Sequence, residues 1–117
     1  MITPFTYNAI YQSNYDGDTI TVDIDLGFGI ILKDQKLRLY GINAPELKGK
    51  DKEKGKESRN YLNSILSAYL TIKTYKDKKE KYGRWLADVY NDRGEHLNAM
   101  MVESGHAEQN FYGNELE

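Results

Sequence analysis

Apolar and polar residues alternate from Thr19 to Leu26, so that isoleucine, valine or leucine occupies every second position. A two-residue period is typical of a strand with one buried face. The residues expected on that face are Ile20, Val22, Ile24 and Leu26. Gly27-Phe28-Gly29 then offers the permissive backbone of a hairpin turn, and Ile30 to Tyr40 returns as another strand.

The rest of the pattern predicts three more strands and two helices. The strands are Tyr7 to Asn14, Tyr69 to Tyr75 and Trp85 to Tyr90. One helix begins near Glu53 and presents an apolar stripe, and a second follows Gly94 and ends at Gly105. Five strands, with a helix between strands three and four and a further C-terminal helix, make a mainly β architecture. This order predicts a five-stranded OB-fold barrel.

Length and composition limit the kind of protein this is. The 117 residues are enough for one domain with its own core, so we expect residues 1–117 to fold as a single unit. Cysteine is absent, so a metal would need oxygen ligands or histidine, which favours a hard cation such as Ca²⁺. The net charge of −2 argues against tight nucleic-acid binding by bulk electrostatics, although lysines gather at Lys48 to Lys56 and at Lys73 to Lys81.

The sequence predicts no membrane partner and leaves the compartment open. No run approaches the roughly 20 apolar residues of a membrane-spanning helix, and Met1 to Gln12 lacks the features of a signal peptide. We expect a secreted protein if a signal peptide has been removed and a cytoplasmic protein otherwise. We also expect a monomer.

Three short motifs place polar side chains at the ends of predicted strands. They are Asp16-Gly17-Asp18-Thr19, the segment from Arg38 to Glu46, and Lys81-Tyr82-Gly83-Arg84. Each has a simpler interpretation as a turn, a solvated strand or a charged hairpin. Two of their carboxylates, Asp18 and Glu46, and their two arginines make a set suited to metal-assisted hydrolysis of a phosphodiester. Arginine suits this task because its planar fork donates two hydrogen bonds to a phosphate.

In this order the motifs resemble those of the staphylococcal nuclease-like (thermonuclease) family, whose members have a DGDT turn, an arginine strand, a PE turn and a KYGR segment. The similarity extends from Tyr15 to Phe111 and includes the helix end at Gly105. It implies an OB-fold barrel. It also implies Ca²⁺-dependent hydrolysis of single-stranded or frayed DNA and RNA with little sequence specificity, leaving a 3′-phosphate.

The resemblance further implies roles for individual residues. Two arginines would bind the phosphate, and a glutamate would be the general base or orient the attacking water. The implied catalytic residues are Arg38, Arg84 and Glu46. The implied metal ligands are Asp18, Asn43 and the backbone carbonyl of Ala44. The implied substrate contacts are Lys81, Tyr82 and Phe111.

Three positions depart from the family pattern. Ala44 stands where the family has a threonine, but only its backbone carbonyl is needed. Asn43 stands where the family has a second metal-binding aspartate, so the site keeps an oxygen ligand but loses a negative charge, which should weaken Ca²⁺ binding. Phe111 stands where the family has a tyrosine beside the base. The sequence therefore leaves three functions open: an active nuclease, a catalytically weakened module that binds nucleic acid or protein, and an OB-fold scaffold whose charges are merely solvated.

Overall fold

Five strands close into a barrel in the computed structural model, which describes residues 5–79 and 82–110. The strands are β1 (Thr6–Asn14), β2 (Thr19–Gly27), β3 (Ile30–Leu39), β5 (Tyr69–Lys79) and β6 (Trp85–Tyr90). They are hydrogen-bonded in the order β1-β2-β3-β6-β5, and β5 pairs back onto β1. The pair β3 and β6 is parallel and the other pairs are antiparallel. The predicted OB-fold barrel is confirmed.

Two helices and two very short strands lie outside the barrel. These elements are β4 (Ile42–Asn43), α1 (Lys52–Ile65), α2 (Leu97–Glu103) and β7 (Glu108–Gln109), with a 3-10 turn (Gly49–Asp51) before α1. Strands β4 and β7 pair with each other as a separate sheet. The sequence did not predict them because two residues are too few to show a period. Neither helix in the described ranges is long and apolar enough to cross a membrane.

The core fills the barrel and continues beneath the two helices. Its fully buried side chains come mostly from the inward positions of the barrel strands, as the alternating pattern predicts. The largest of them are Ile20, Leu37, Leu39, Ile72 and Leu86. Leu62 of α1 and both Leu97 and Met101 of α2 are equally buried, so the helices cover the parts of the core that the strands leave open.

Three features of the strands differ from the prediction. Leu26 was expected on the buried face but is 42% exposed, because the register of β2 and β3 shifts twice before the turn and the strands leave the barrel there. The same irregularity buries Asp23, which alternation placed outside. Strand β5 continues to Lys79, through part of the segment predicted as a charged turn, and after a register shift beyond Thr74 it pairs with β6 again where Lys79 lies opposite Trp85.

Candidate active site

The Asp16-Gly17-Asp18-Thr19 turn enters β2 pressed against helix α1. The Asp18 N–H donates to Asp16 Oδ1 at 3.1 Å, which closes a tight turn. A Cβ atom built on Gly17 would lie 1.9 Å from Ser58 Oγ and 2.8 Å from Ala44 Cβ. Only glycine therefore allows this approach, and the packing fixes where the two aspartates point.

Asp18 joins the start of β2 to the turn that follows β4. The residue is 5% exposed. Its Oδ2 atom accepts a hydrogen bond from the Ala44 N–H at 2.9 Å, and its Oδ1 atom accepts one from the Thr19 hydroxyl at 3.2 Å. Two sequence-predicted metal ligands, Asp18 and Ala44, are thus held side by side although 26 residues separate them in the chain.

Arg38 is buried next to Asp18 and is 8% exposed. Its NH1 group donates to the carbonyls of Leu39 at 2.9 Å and Ile42 at 2.8 Å, and its NH2 group lies 3.6 Å from Asp18 Oδ2. The simpler interpretation of a solvated arginine outside the barrel is wrong. A guanidinium in this position balances the Asp18 carboxylate, and the backbone carbonyls fix the direction of its fork.

Arg84 approaches the same place from the neighbouring strand. Strand β3 lies between β2 and β6, with Thr19 opposite Arg38 and Arg38 opposite Leu86. Arg84, just before β6, donates from NH1 to the Thr19 hydroxyl at 3.0 Å. Its guanidinium carbon also lies 5.5 Å from the ring centroid of Tyr82, which is 72% exposed.

Thr19 is a residue that the sequence analysis overlooked. Its hydroxyl accepts from Arg84 and donates to Asp18, and Asp18 in turn neighbours Arg38. One connected set of polar contacts therefore links both arginines to a predicted metal ligand. The signal for Thr19 in the sequence was its position directly after Asp18, at the start of a predicted strand.

Asp16 is the second residue that the sequence analysis did not select. Burial, followed by the charge of the neighbouring Asp18 carboxylate, raises the pKa of Asp16 from 3.8 to about 6. Two acidic groups this close favour a cation between or beside them, because a cation relieves their repulsion. The signal for Asp16 was its spacing of two residues from Asp18 across a glycine.

The turn after β4 supplies the remaining predicted residues that the structure describes. Asn43 is exposed, and its Oδ1 atom accepts from Arg38 NH2 at 3.4 Å. Glu46 has an exposed side chain, while its backbone carbonyl faces Gly55 of α1, where an added Cβ would lie 2.2 Å from it. The turn is therefore packed tightly on the helix. Lys81 and Phe111 lie outside the described residues.

The residues predicted to hold a metal, together with Asp16, carry oxygen atoms of the kind that hard cations prefer. Carboxylates of Asp16 and Asp18, the amide oxygen of Asn43 and the Ala44 carbonyl are the ligand types that Ca²⁺ takes. Among residues 5–79 and 82–110, no group of three or more histidine, aspartate or glutamate side chains is arranged to hold a metal. A cation at this place would thus depend on backbone and amide oxygens and on water as well as on carboxylates.

Two hollows open near the elements that form the site. One, of about 310 Å³, lies beside Asn43, Ala44 and Pro45 and is also lined by Asp51 and Lys54. The other, of about 460 Å³, is lined by none of the predicted site residues. The smaller hollow therefore adjoins the candidate site, and Asp51 and Lys54 make part of its wall polar.

The two histidines each contact another side chain. His96 precedes α2 and its Nε2 atom lies 2.9 Å from Asp88 Oδ1. The His106 ring stacks on Tyr61 at a centroid distance of 4.3 Å. Both are half-buried and lie near the ends of α2, and neither is among the predicted site residues.

Comparison with known proteins gives the same family that the motifs suggest. The family model described as staphylococcal nuclease homologue matches residues 36–117. Endonuclease YhcR of Bacillus subtilis (strain 168) is 30% identical over 115 residues, covering 90% of this chain and 9% of that protein. An uncharacterized endonuclease of Escherichia coli O157:H7 is 35% identical over 92 residues, covering 79% of this chain and 54% of that protein.

A third relative is not named as a nuclease. The succinoglycan biosynthesis protein ExoI of Rhizobium meliloti (strain 1021) is 28% identical over 99 residues, covering 79% of this chain and 47% of that protein. The chain thus spans about half or less of the length of these three relatives.

Proposed function

Because this chain belongs to the staphylococcal nuclease homologue family, we propose that it is a metal-dependent nuclease. Its substrates in this proposal are single-stranded or frayed DNA and RNA, cleaved with little sequence preference to leave a 3′-phosphate. The observation that supports the proposal most strongly is the hydrogen-bonded link from Arg84 through Thr19 to Asp18, beside Arg38. The guanidinium groups of Arg38 and Arg84 and the carboxylate of Asp18 therefore lie at neighbouring ends of strands β2, β3 and β6.

The two arginines bind the phosphate in this proposal. Arg38 is held by backbone carbonyls and Arg84 by a hydroxyl, so both forks are oriented before substrate arrives. Preorganised donors stabilise the extra negative charge that develops on phosphate oxygens during attack, because they need little reorganisation. Removing one such donor typically costs about 3 kcal/mol of transition-state stabilisation.

Glu46 activates the attacking water. Its carboxyl is exposed, and the turn carrying it is fixed by Pro45 and by the packing of its backbone on Gly55. As general base, Glu46 takes a proton from water while the water oxygen bonds to phosphorus. The bond from phosphorus to the 5′ oxygen then breaks, and solvent protonates the leaving oxygen.

Asp18, Asn43 and the Ala44 carbonyl would hold Ca²⁺, with Asp16 close enough to contribute. A bound Ca²⁺ supplies Lewis-acid polarisation of the phosphate. Tyr82 is exposed beside Arg84 and offers a ring on which a base can stack without sequence preference. Lys81 and Phe111 complete the substrate contacts in the proposal, on the strength of the sequence motifs alone.

A catalytically weakened binding module is the second candidate. Asn43 favours it, because the amide gives the metal site one negative charge fewer than a carboxylate would. The name of the Rhizobium relative is also not that of a nuclease. Such a module would retain single-stranded DNA in EDTA and leave its length unchanged.

A labelled single strand separates the two candidates. The strand is incubated with the protein in millimolar Ca²⁺ or in EDTA, and its length and ends are examined on a gel. The nuclease proposal predicts fragments with phosphatase-sensitive 3′ ends in Ca²⁺ and intact strand in EDTA. Intact strand in both conditions, retained by the protein, would instead support the binding module.

A further inference from the structure

Asn98 is a buried polar residue of helix α2 that the proposed function does not use. The residue is 3% exposed. Its Nδ2 atom donates to the carbonyls of Tyr40 at 2.9 Å and Ala87 at 3.1 Å, and its Oδ1 atom accepts from the Val89 N–H at 2.9 Å. Both amide protons and the amide oxygen therefore bind backbone groups, which belong to the segment that follows β3 and to β6.

These contacts replace a hydrogen bond of the β-sheet. Pairing of β3 with the parallel strand β6 reaches Leu39 opposite Ala87, and the Tyr40 N–H still donates to the Ala87 carbonyl. The next bond of a parallel ladder would join the Val89 N–H to the Tyr40 carbonyl. The Asn98 amide lies between these two groups and binds both. It therefore holds β3 and β6 apart at the point where the chain leaves β3.

The path of the chain at this point determines where the Arg38 guanidinium points. Its NH1 group donates to the carbonyls of Leu39 at 2.9 Å and Ile42 at 2.8 Å. Tyr40 and Gly41 lie between these two acceptors, after the end of β3 and before β4. A shift of the Tyr40 carbonyl would move one acceptor relative to the other and so rotate the guanidinium.

The same segment leads into the proposed metal site. Asn43, at the end of β4, accepts from Arg38 NH2 at 3.4 Å, and the Ala44 N–H donates to Asp18. Asparagine is the side chain that this position requires. An apolar residue would leave three buried backbone groups without these bonds, and an aspartate would turn an oxygen toward two carbonyls.

We propose that Asn98 is a positioning residue that orients the Arg38 guanidinium, acting through the backbone of residues 39–42. It does not touch the phosphate itself, because its amide is buried and fully bound to backbone groups. The consequence for catalysis rests on the proposed nuclease function, whereas the orientation of Arg38 is a property of the protein alone. Two measurements therefore separate the positioning role from the nuclease assignment.

Asn91 provides a matched control. It is also 3% exposed, and its Nδ2 atom donates to the Ile65 carbonyl at 3.1 Å and to Glu95 Oε1 at 2.8 Å. Its Oδ1 atom accepts from the N–H groups of Arg93 and Glu95, both at 3.0 Å. Asn91→Ala thus removes a similar set of hydrogen bonds from a part of the domain outside the proposed site. Asn98→Ala is the test variant, and Asn98→Ser, which keeps one donor, replaces it if alanine prevents folding.

Nitrogen-15 NMR of the arginine side chains reports how firmly Arg38 is held, without substrate. The Arg38 signals are identified by their loss in Arg38→Lys. A guanidinium bound to two carbonyls rotates slowly, because rotation breaks both bonds, so its NH1 protons give resolved signals. We expect Asn98→Ala to broaden or merge these signals and Asn91→Ala to leave them unchanged. Unchanged Arg38 signals in folded Asn98→Ala would overturn the proposal, whether or not the protein cleaves DNA.

Cleavage of single-stranded DNA in Ca²⁺ tests the effect on the reaction. We expect Asn98→Ala to lower kcat about tenfold, because a small misplacement of a group that binds the transition state has a large effect on the rate. Asn91→Ala should stay within about twofold of the wild type, since it lies outside the site. In an Arg38→Lys background, Asn98→Ala should change kcat by less than about twofold, because the fork that it orients is gone.

A loss of the same size in both backgrounds would show a merely structural role for Asn98 and overturn the proposal. A loss in Asn91→Ala as large as that in Asn98→Ala would overturn it as well. No cleavage by the wild type would refute the nuclease assignment alone, and the comparison of the Arg38 signals would then decide the role of Asn98.

Discussion

At the residue scale, Thr19 couples the two halves of the proposed site. It is 6% exposed and contacts both Arg84 and Asp18. Thr19→Val keeps the shape and removes the hydroxyl, so both charged partners lose a hydrogen bond worth about 1.5–3 kcal/mol each. We expect kcat/KM on single-stranded DNA to fall by one to two orders of magnitude.

Thr21→Val on the same strand is the control, because Thr21 lies outside this set of contacts and is only half-buried. Its kcat/KM should stay within about twofold of the wild type. Equal activity of Thr19→Val and the wild type would show that the hydroxyl does not orient Arg84 for catalysis.

Asn43 determines the charge of the proposed metal site. Asn43→Asp restores a carboxylate next to Arg38, which its Oδ1 atom already approaches at 3.4 Å. Calcium affinity rises with the number of charged ligands, so the Ca²⁺ concentration for half-maximal activity should fall by about tenfold. Asn43→Ser, which is uncharged, should not produce this gain. An unchanged calcium requirement in Asn43→Asp would place Asn43 outside the metal site.

At the scale of elements, helix α1 holds two turns of the site in place. Gly17 packs on Ser58, and Glu46 packs on Gly55, so the helix contacts the turn before β2 and the turn after β4. These contacts place α1 beside the proposed site. At Gly55 two effects on stability therefore oppose each other. Helix propensity favours alanine over glycine, whereas the packing against Glu46 leaves no room for a Cβ atom.

Gly55→Ala tests this opposition. Alanine in a helix interior usually stabilises by about 1 kcal/mol relative to glycine. Here the added Cβ would lie 2.2 Å from the Glu46 carbonyl oxygen, so we expect net destabilisation of about 1–3 kcal/mol in urea unfolding. Asn60→Ala, at an exposed position of α1, should be neutral or slightly stabilising. A more stable Gly55→Ala would mean that the turn moves freely relative to α1.

The sequence was informative about elements with a clear period and less so about contacts between them. Alternation located β2, and the order of elements predicted the barrel, because burial of one strand face is a local pattern. Burial of Arg38 among backbone carbonyls depends on the path of residues 39–42, which no period reveals. The roles of Thr19 and Asp16 depend on packing between distant segments, so local spacing only hinted at them.

At the scale of the whole molecule, the proposed site lies at one end of the hairpin that β2 and β3 form. The domain measures 46 × 31 × 24 Å, so the hairpin runs along a large part of it.

Metal binding should appear in the stability of the whole domain. A ligand that binds only the folded state stabilises it by about 2.7 kcal/mol at one hundred times its Kd. We expect millimolar Ca²⁺ to raise the Tm by several degrees, because this increment is large for a domain of this size. Asp18→Asn should abolish the increase. A Tm that does not respond to Ca²⁺ would contradict metal binding at these residues.

The central claim is that Arg38 and Arg84 bind one phosphate within one site, and a double-mutant comparison tests it most directly. Cleavage rates of single-stranded DNA in Ca²⁺ are measured for the wild type, Arg38→Lys, Arg84→Lys and the double variant, each checked for folding by circular dichroism. Lysine keeps the charge and removes the fork. We expect each single change to reduce kcat about a hundredfold and the double change to cost little more, since residues that act as a unit are not additive. An inactive wild type, or losses that simply multiply, would contradict the account.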